Sequence, residues 1–167
     1  IAFRRFLPSL LKVEGVEFAG VAIASPSEWF GDLSNISNSD ITSQQERELE
    51  KARTFVDTFG GKIYKSYTEI CTSADVDAIY LPLPPALHYR WAKLALLNNK
   101  HTLVEKPFTI NLADTEDLIA LAKTNNLAVH EDYMFVYHNQ IQAINEIIAS
   151  GEIGKVRHYR IQFGFPK

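Results

Sequence analysis

Apolar residues along the chain fall into two kinds of run that alternate. Short runs of Val, Ile, Leu and Ala occur at "GVEFAGVAIAS" (15–25), "VDAIYLPLP" (76–84), "HTLVEK" (101–106) and "NLAVHEDYM" (126–134). Their length, and the turn residues and prolines that bound them, predict buried β-strands. Between them, apolar residues recur at helical spacing. Leu49, Ala52, Phe55, Val56 and Phe59 predict a helix that stops at Gly60–Gly61. Trp91, Leu94, Ala95 and Leu97 are the inward positions of a helix over 86–99, and Leu118, Ile119, Leu121 and Ala122 mark another that Asn111 can cap. Ile141, Ile144, Ile147 and Ile148 share one face of a further helix, ending at Ser150–Gly151. At the start, Phe3, Phe6, Leu7, Leu10 and Leu11 follow a helix face, with Pro8 tolerable in a first turn. "KIYKSY" (62–67) can hold a short strand, and "PSEWFGDLSNISNSDITSQQ" (26–45) has no period and reads as a long loop. "VRHYRIQFGF" (156–165) alternates and predicts a strand with one polar face.

Strand, helix, strand, helix in this rhythm predicts right-handed βαβ units and a parallel sheet, an α/β fold. Open parallel sheets bind ligands beyond the carboxyl ends of their strands. That rule singles out Ser25, Leu83 to Pro85, Glu105 with Lys106, and Glu131 to Tyr133.

Composition narrows the class. The 167 residues suffice for a domain with a real core, and 46% hydrophobic with 22% charged residues is ordinary for a globular protein. A net charge of −3 argues against a nucleic-acid platform. No apolar run approaches the roughly 18 residues of a membrane span. The single cysteine, Cys71, forms no intrachain disulfide and reads as a cytosolic thiol, and no signal peptide is visible, so a cytoplasmic protein is expected. Both ends look cut: the chain opens on Ile1 inside a helical pattern and stops just after the alternating segment.

Lys106 is the foremost chemical candidate. Pro107 restricts it at a strand tip, and partial burial would bring an amine toward the working range of a general acid or base. The alternative is a solvated turn. Glu105 can pair with Lys106, contact a ligand or face water. His88, at a helix start below a strand tip, either shapes a pocket or serves the core. His101, His130, His138 and His158 lack metal-ligand spacing, and no metal is expected. Ser25 stands where a dinucleotide fold usually places an acid for the ribose 2′-hydroxyl, so the uncharged side chain leans toward NADP. No G-x-G-x-x-G occurs.

"LPLPPALHYRWAKLALLNNKHTLVEKPF" (81–108), with its P-x-x-x-H and E-K-P elements, "EDYMFVYHNQ" and "IIASGEIGKVRHYRIQFGF" together resemble the Gfo/Idh/MocA oxidoreductase family. The resemblance implies a Rossmann-like doubly wound parallel sheet over 1–133, lacking its first strand and glycine loop. It also implies the start of an α+β substrate and oligomerisation domain over 134–167. Lys106 would be the catalytic proton relay or anchor, and Ser25, Leu83, Pro84, His88, Glu105 and Lys106 would line the NAD or NADP cleft. Pro26 stands where NADP-using relatives often carry arginine, and the second catalytic group would lie past residue 167. The implied reaction is hydride transfer between NAD(P) and a hydroxyl or keto carbon of a sugar, nucleotide-sugar or cyclitol. The full-length protein would be a homo-oligomer with small-molecule partners, and the chain as given would be inactive. A non-catalytic assembly module, pairing through an exposed strand edge near 156–165, and a sugar-sensing regulator are the alternatives.

Overall fold

The computed structural model describes residues 1–162 and 164. It contains two compact units, 1–132 and 133–167. The first opens with a π-helical turn, Ala2–Phe6, that runs into α1 (Leu7–Leu10). The remaining elements are β1 (Gly20–Ala22), α2 (Pro26–Phe30), α3 (Asn38–Phe59), β2 (Lys62–Tyr64), α4 (Tyr67–Thr72), β3 (Ala78–Leu81), α5 (Pro85–Leu97), β4 (His101–Glu105), α6 (Leu112–Thr124) and β5 (Val129–Asp132). All strand pairs are parallel, β1 with β2 and, in order, β3, β4 and β5.

The second sheet shows why these residues fold this way. Successive strand side chains point to opposite faces. Ile79, Leu81, Thr102 and Val104 are therefore buried together, while Ala78, His101 and His130 on the other face are exposed. The buried face lies under α5 and α6, whose Trp91, Ala92, Ala95, Leu96, Leu118 and Ala122 complete the core. Ala92 and Ala95 have no exposed surface, and these small side chains let the α5 backbone come close to the sheet. Helices α5 and α6 cover the same face, while on the other face Tyr80 and Leu103 are half-buried, with Phe6 stacked on Tyr80. The inward positions of α5 differ by one from those expected: Leu96 is buried and Leu97 exposed, since the helix turns its Trp91–Ala95 stripe toward β4.

Both helices end alike. Asn99 and Asn126 take left-handed backbone, with φ of 59° and 54°. Lys100 N–H then donates to Ala95 C=O and Leu127 N–H to Ala122 C=O, closing Schellman turns that hand the chain to β4 and β5. At the other end of α6, Asn111 Oδ1 accepts from Asp114 N–H at 2.9 Å, the expected cap.

In the first sheet Gly20 has φ 152°, and a Cβ there would run into the Lys62 carbonyl. The strand expected over 15–25 shortens to Gly20–Ala22. The loop expected over 26–45 is largely helical. Ser25 and Ser37 cap α2 and α3, each accepting a backbone N–H three residues on, so polar caps nucleate helices where no apolar period was visible. Glu28 then ties α2 to α4. Its carboxylate accepts from the backbone N–H of Ser25, Tyr67 and Thr68 and from Thr68 Oγ1, at 2.7–2.9 Å. Helix α4 itself was not foreseen from the sequence.

The second unit holds a 3₁₀ turn, Met134–Tyr137, and α7 (Asn139–Ser150), closed by Gly151 in left-handed conformation. Ile144, Ile147 and Ile148 are 43%, 42% and 37% exposed, so among the described residues the isoleucine face is only partly covered. Residues 156–162 form no strand, and Phe163 and Phe165 of the expected strand lie outside the described residues. A strand needs a hydrogen-bonded neighbour, and among the described residues none lies beside this segment. Among the described residues no helix is long and apolar enough to cross a membrane.

Two measurements test this packing. Burial raises the Glu28 carboxyl pKa, but its hydrogen bonds outweigh burial and hold it below the ordinary 4.5. A depressed carboxyl stabilises fully above the unfolded value and loses that stabilisation as pH falls through the folded one. Glu28→Gln should therefore flatten the loss of stability as pH drops below about 4.5, and Glu28→Ala should cost about 1–3 kcal/mol at neutral pH, both read by urea denaturation. Burial pushes the Cys71 thiol up to about 12. A disulfide-exchange probe at mildly alkaline pH should label native Cys71 about 100-fold more slowly than the unfolded chain, and equal rates would contradict a buried thiol.

Candidate active site at the carboxyl ends of the strands

Parallel pairing brings the ends of β3, β4 and β5 to one edge. In register, Leu81 faces Val104 and Glu105 faces Asp132. Beyond the tips run the Pro82–Pro84 segment and the turn Lys106–Pro107–Phe108, whose Lys106–Pro107 peptide is cis. Lys106 is exposed, so the amine stands at the edge and is not partly buried as the sequence allowed.

Glu105 is 8% exposed and held from the neighbouring strand, where Tyr80 Oη donates to its Oε1 at 2.6 Å. Burial, and then the bond to this carboxylate, raise the Tyr80 phenol pKa. Tyr80 also stacks on Phe6, with centroids 3.9 Å apart. Asp132 sits above the ordinary carboxylate range, first through burial and then through the charge of Glu105. Two carboxyl groups on one face of adjacent strand tips thus repel each other, and Tyr80 orients one of them.

His88 is fully buried on α5. Its Nε2 lies 2.7 Å from Leu83 O and its Nδ1 lies 2.9 Å from Pro107 O, so the ring joins the two turns that flank the edge. Both ring nitrogens are engaged, leaving no free polar atom for a ligand on the cleft wall. Glu131 Oε1 accepts from Phe108 N–H at 2.7 Å.

Leu83, His88, Glu105 and Lys106 therefore share one neighbourhood, and Pro84 caps α5 beside them. Ser25 belongs to the other sheet. It follows β1, its Oγ accepts from Glu28 N–H at 3.4 Å, and its N–H is taken by the Glu28 carboxylate. Tyr80 and Glu131 were not singled out for these roles. Each is the penultimate residue of its strand, and only Glu131 fell within the strand-end candidates; strand alternation alone does not say which carboxylate meets which donor.

A groove of about 1040 Å³ runs between β1 and β3, lined by Phe6, Leu7, Val21, Ala22, Tyr80 and Leu81 among others. Of the expected site residues only Leu83 reaches it. The groove lies between the two sheets, whereas Glu105 and Lys106 stand at the tips. Ordered carboxylates, an amine and a pinned turn can orient a polar ligand and move a proton, and the tip arrangement carries that chemistry.

Residues 16–133 match the model of an oxidoreductase family with an NAD-binding Rossmann fold. The chain is 34% identical over 134 residues to a dTDP-3,4-didehydro-2,6-dideoxy-alpha-D-glucose 3-reductase of Saccharopolyspora spinosa, covering 80% of this chain and 40% of that protein. It is 41% identical over 125 residues to the enzyme of the same name from Streptomyces violaceoruber, covering 75% and 36%. Among solved structures it resembles KijD10, a 3-ketoreductase from Actinomadura kijaniata in complex with NADP and TDP-benzene, with TM-score 0.70 and 33% identity over 90% of this chain and 39% of that one. The chain thus spans about two fifths of the length of these relatives. The match over residues 16–133, more than half of the chain and consistent with its parallel strands and α/β architecture, shows that this chain belongs to the Gfo/Idh/MocA oxidoreductase family.

Proposed function

We propose that this chain forms the cofactor side of an NADP-dependent reductase that acts on a keto group of a nucleotide-linked sugar. The observation that carries this reading is the strand-tip cluster itself: Lys106 exposed on a turn that His88 and Glu131 tie down, beside a Tyr80-oriented Glu105. The similarity to dTDP-sugar 3-reductases supports the substrate class, and the relative solved with NADP supports the cofactor. Residues 1–132 then serve cofactor binding, and α7 begins the substrate and oligomerisation domain.

The residues present fit the nicotinamide end of the cofactor, where polar groups converge at the tips. A diphosphate cradle is not among them, since no G-x-G-x-x-G occurs. The uncharged Ser25 leaves a 2′-phosphate unopposed, although Glu28 beside it brings a carboxylate. When bound, the cofactor supplies the hydride to the carbonyl carbon. The chain supplies the rest. The Lys106 ammonium hydrogen-bonds the carbonyl oxygen and donates the proton as that oxygen gains charge, and in the oxidative direction the neutral amine takes it back. Glu105, held by Tyr80, offers its second oxygen to a ribose or sugar hydroxyl.

An assembly module is a second reading. No strand forms over 156–162, but the partly exposed Ile144, Ile147 and Ile148 of α7 support it. A chain that is strictly monomeric by light scattering would count against it. A sugar-sensing regulator is disfavoured by the intact Lys106.

In an active form of the protein, Lys106→Ala should lower kcat by about 10²–10⁴-fold with little change in cofactor KM. Turnover that survived nearly unchanged would remove Lys106 from the mechanism. The 167-residue chain alone should show no turnover and bind NADP more weakly than micromolar by calorimetry. Sub-micromolar affinity would mean that the tips bind cofactor without a phosphate cradle.

A further inference from the structure

The Pro107 carbonyl and the Phe108 N–H belong to one peptide unit, directly after Lys106–Pro107. His88 Nδ1 meets its carbonyl end at 2.9 Å and Glu131 Oε1 meets its amide end at 2.7 Å. With the ring proton on Nδ1, both poles of a single peptide plane are held by side chains from different elements, α5 on one side and β5 on the other. The turn lies beyond the β4 ladder, so strand pairing does not hold this peptide. We propose that His88 and Glu131 are positioning residues that clamp this peptide and so fix the turn that presents Lys106. The proposal rests on the reading of Lys106 as the proton-handling group and adds how the chain holds it.

The physical case has three parts. A turn past the end of a strand has lost its ladder partners, so its peptide planes rotate unless something else holds them. A carboxylate acceptor makes a shorter and stronger bond than a neutral one, and a polarised peptide transmits that gain to the acceptor at its other pole. His88 has no exposed surface, so water competes poorly for its contact. Its Nε2 meets Leu83 O at 2.7 Å, which extends the chain of contacts from the β3 turn through the imidazole and the peptide to the β5 tip. Both partners of the ring are carbonyl oxygens and a neutral imidazole has one N–H, so the clamp requires that proton on Nδ1, facing Pro107 O, while Nε2 donates to Leu83 O only in the doubly protonated ring.

Backbone amide exchange on the 167-residue chain tests the clamp without needing turnover. In Glu131→Ala the Phe108 amide should exchange about tenfold faster or more. Glu131→Gln, which keeps a neutral acceptor, should fall between it and the parent chain. Amides of α5 and β4 should not change. His88→Gln places its amide near the Nε2 position and keeps the reach to Leu83, whereas His88→Asn places it near Nδ1 and keeps the reach to Pro107. The Asn variant should therefore protect the Pro107–Phe108 turn better than the Gln variant. If the histidine variants do not fold, the Glu131 series still decides. Unchanged Phe108 exchange, or a rise spread evenly over α5 and β4, would overturn the clamp.

In an active form of the protein, Glu131→Ala should lower kcat by about tenfold while leaving cofactor KM unchanged. The two readings fail separately. If Lys106→Ala keeps turnover while Phe108 exchange responds, the clamp stands and the role of Lys106 falls. If Lys106→Ala abolishes turnover while Phe108 exchange is unmoved, the clamp falls and the role of Lys106 stands.

Discussion

Parallel pairing of β3, β4 and β5 is the constraint on which the rest of this chain depends. Parallel strands require a crossover of a dozen or more residues, and α5 and α6 meet that need while burying the same sheet face. The pairing has two consequences. All three strands end at one edge, so whatever follows them becomes one neighbourhood. The face under the helices is closed and mostly apolar, and charged residues gather at the tips. Glu105 and Asp132 sit side by side for this reason, and their mutual repulsion follows from register as much as from composition.

The closed face in turn sets the precision of the edge. His88 stands one turn into α5, and its ring reaches Leu83 and Pro107 only because Ala92 and Ala95 seat the helix close to the strands. A larger residue at either alanine would lift the helix and carry the imidazole away from both carbonyls. Core packing and site geometry are therefore one problem here, with small side chains in the core controlling distances at the tip.

Much of the fold was legible in the chain. Val, Ile and Leu runs located β3, β4 and β5, Asn111 located the start of α6, and Gly60 and Gly151 the ends of α3 and α7. Periodicity failed where caps took over. Ser25 with Glu28, and Ser37 with Asp40, start helices in a stretch whose apolar residues have no period, because a cap satisfies the first backbone N–H groups without any buried face. It also failed over 156–162, where alternation is present but, among the described residues, a pairing neighbour is not. The site was legible as a place. Lys106 and Glu105 lie at the edge that the strand-end rule names, but Tyr80, Glu131 and the carbonyl contacts of His88 depend on which residues face each other across strands. In the sequence His88 reads as either a pocket-shaping or a core residue, and in three dimensions it is a buried residue set between two turns.

The order of strands and helices, the edge at which polar chemistry collects and the presence of an amine at that edge were determined by sequence alone. Each follows from local preference and from the general geometry of parallel sheets. Tertiary structure decided which partners the polar groups take, which face of each strand is closed, and that Lys106 stands exposed instead of half-buried. These depend on register and helix seating, which distribute contacts between residues 20 to 40 positions apart. No pattern along a chain records distances across a sheet, and hydrogen bonds are decided by those distances.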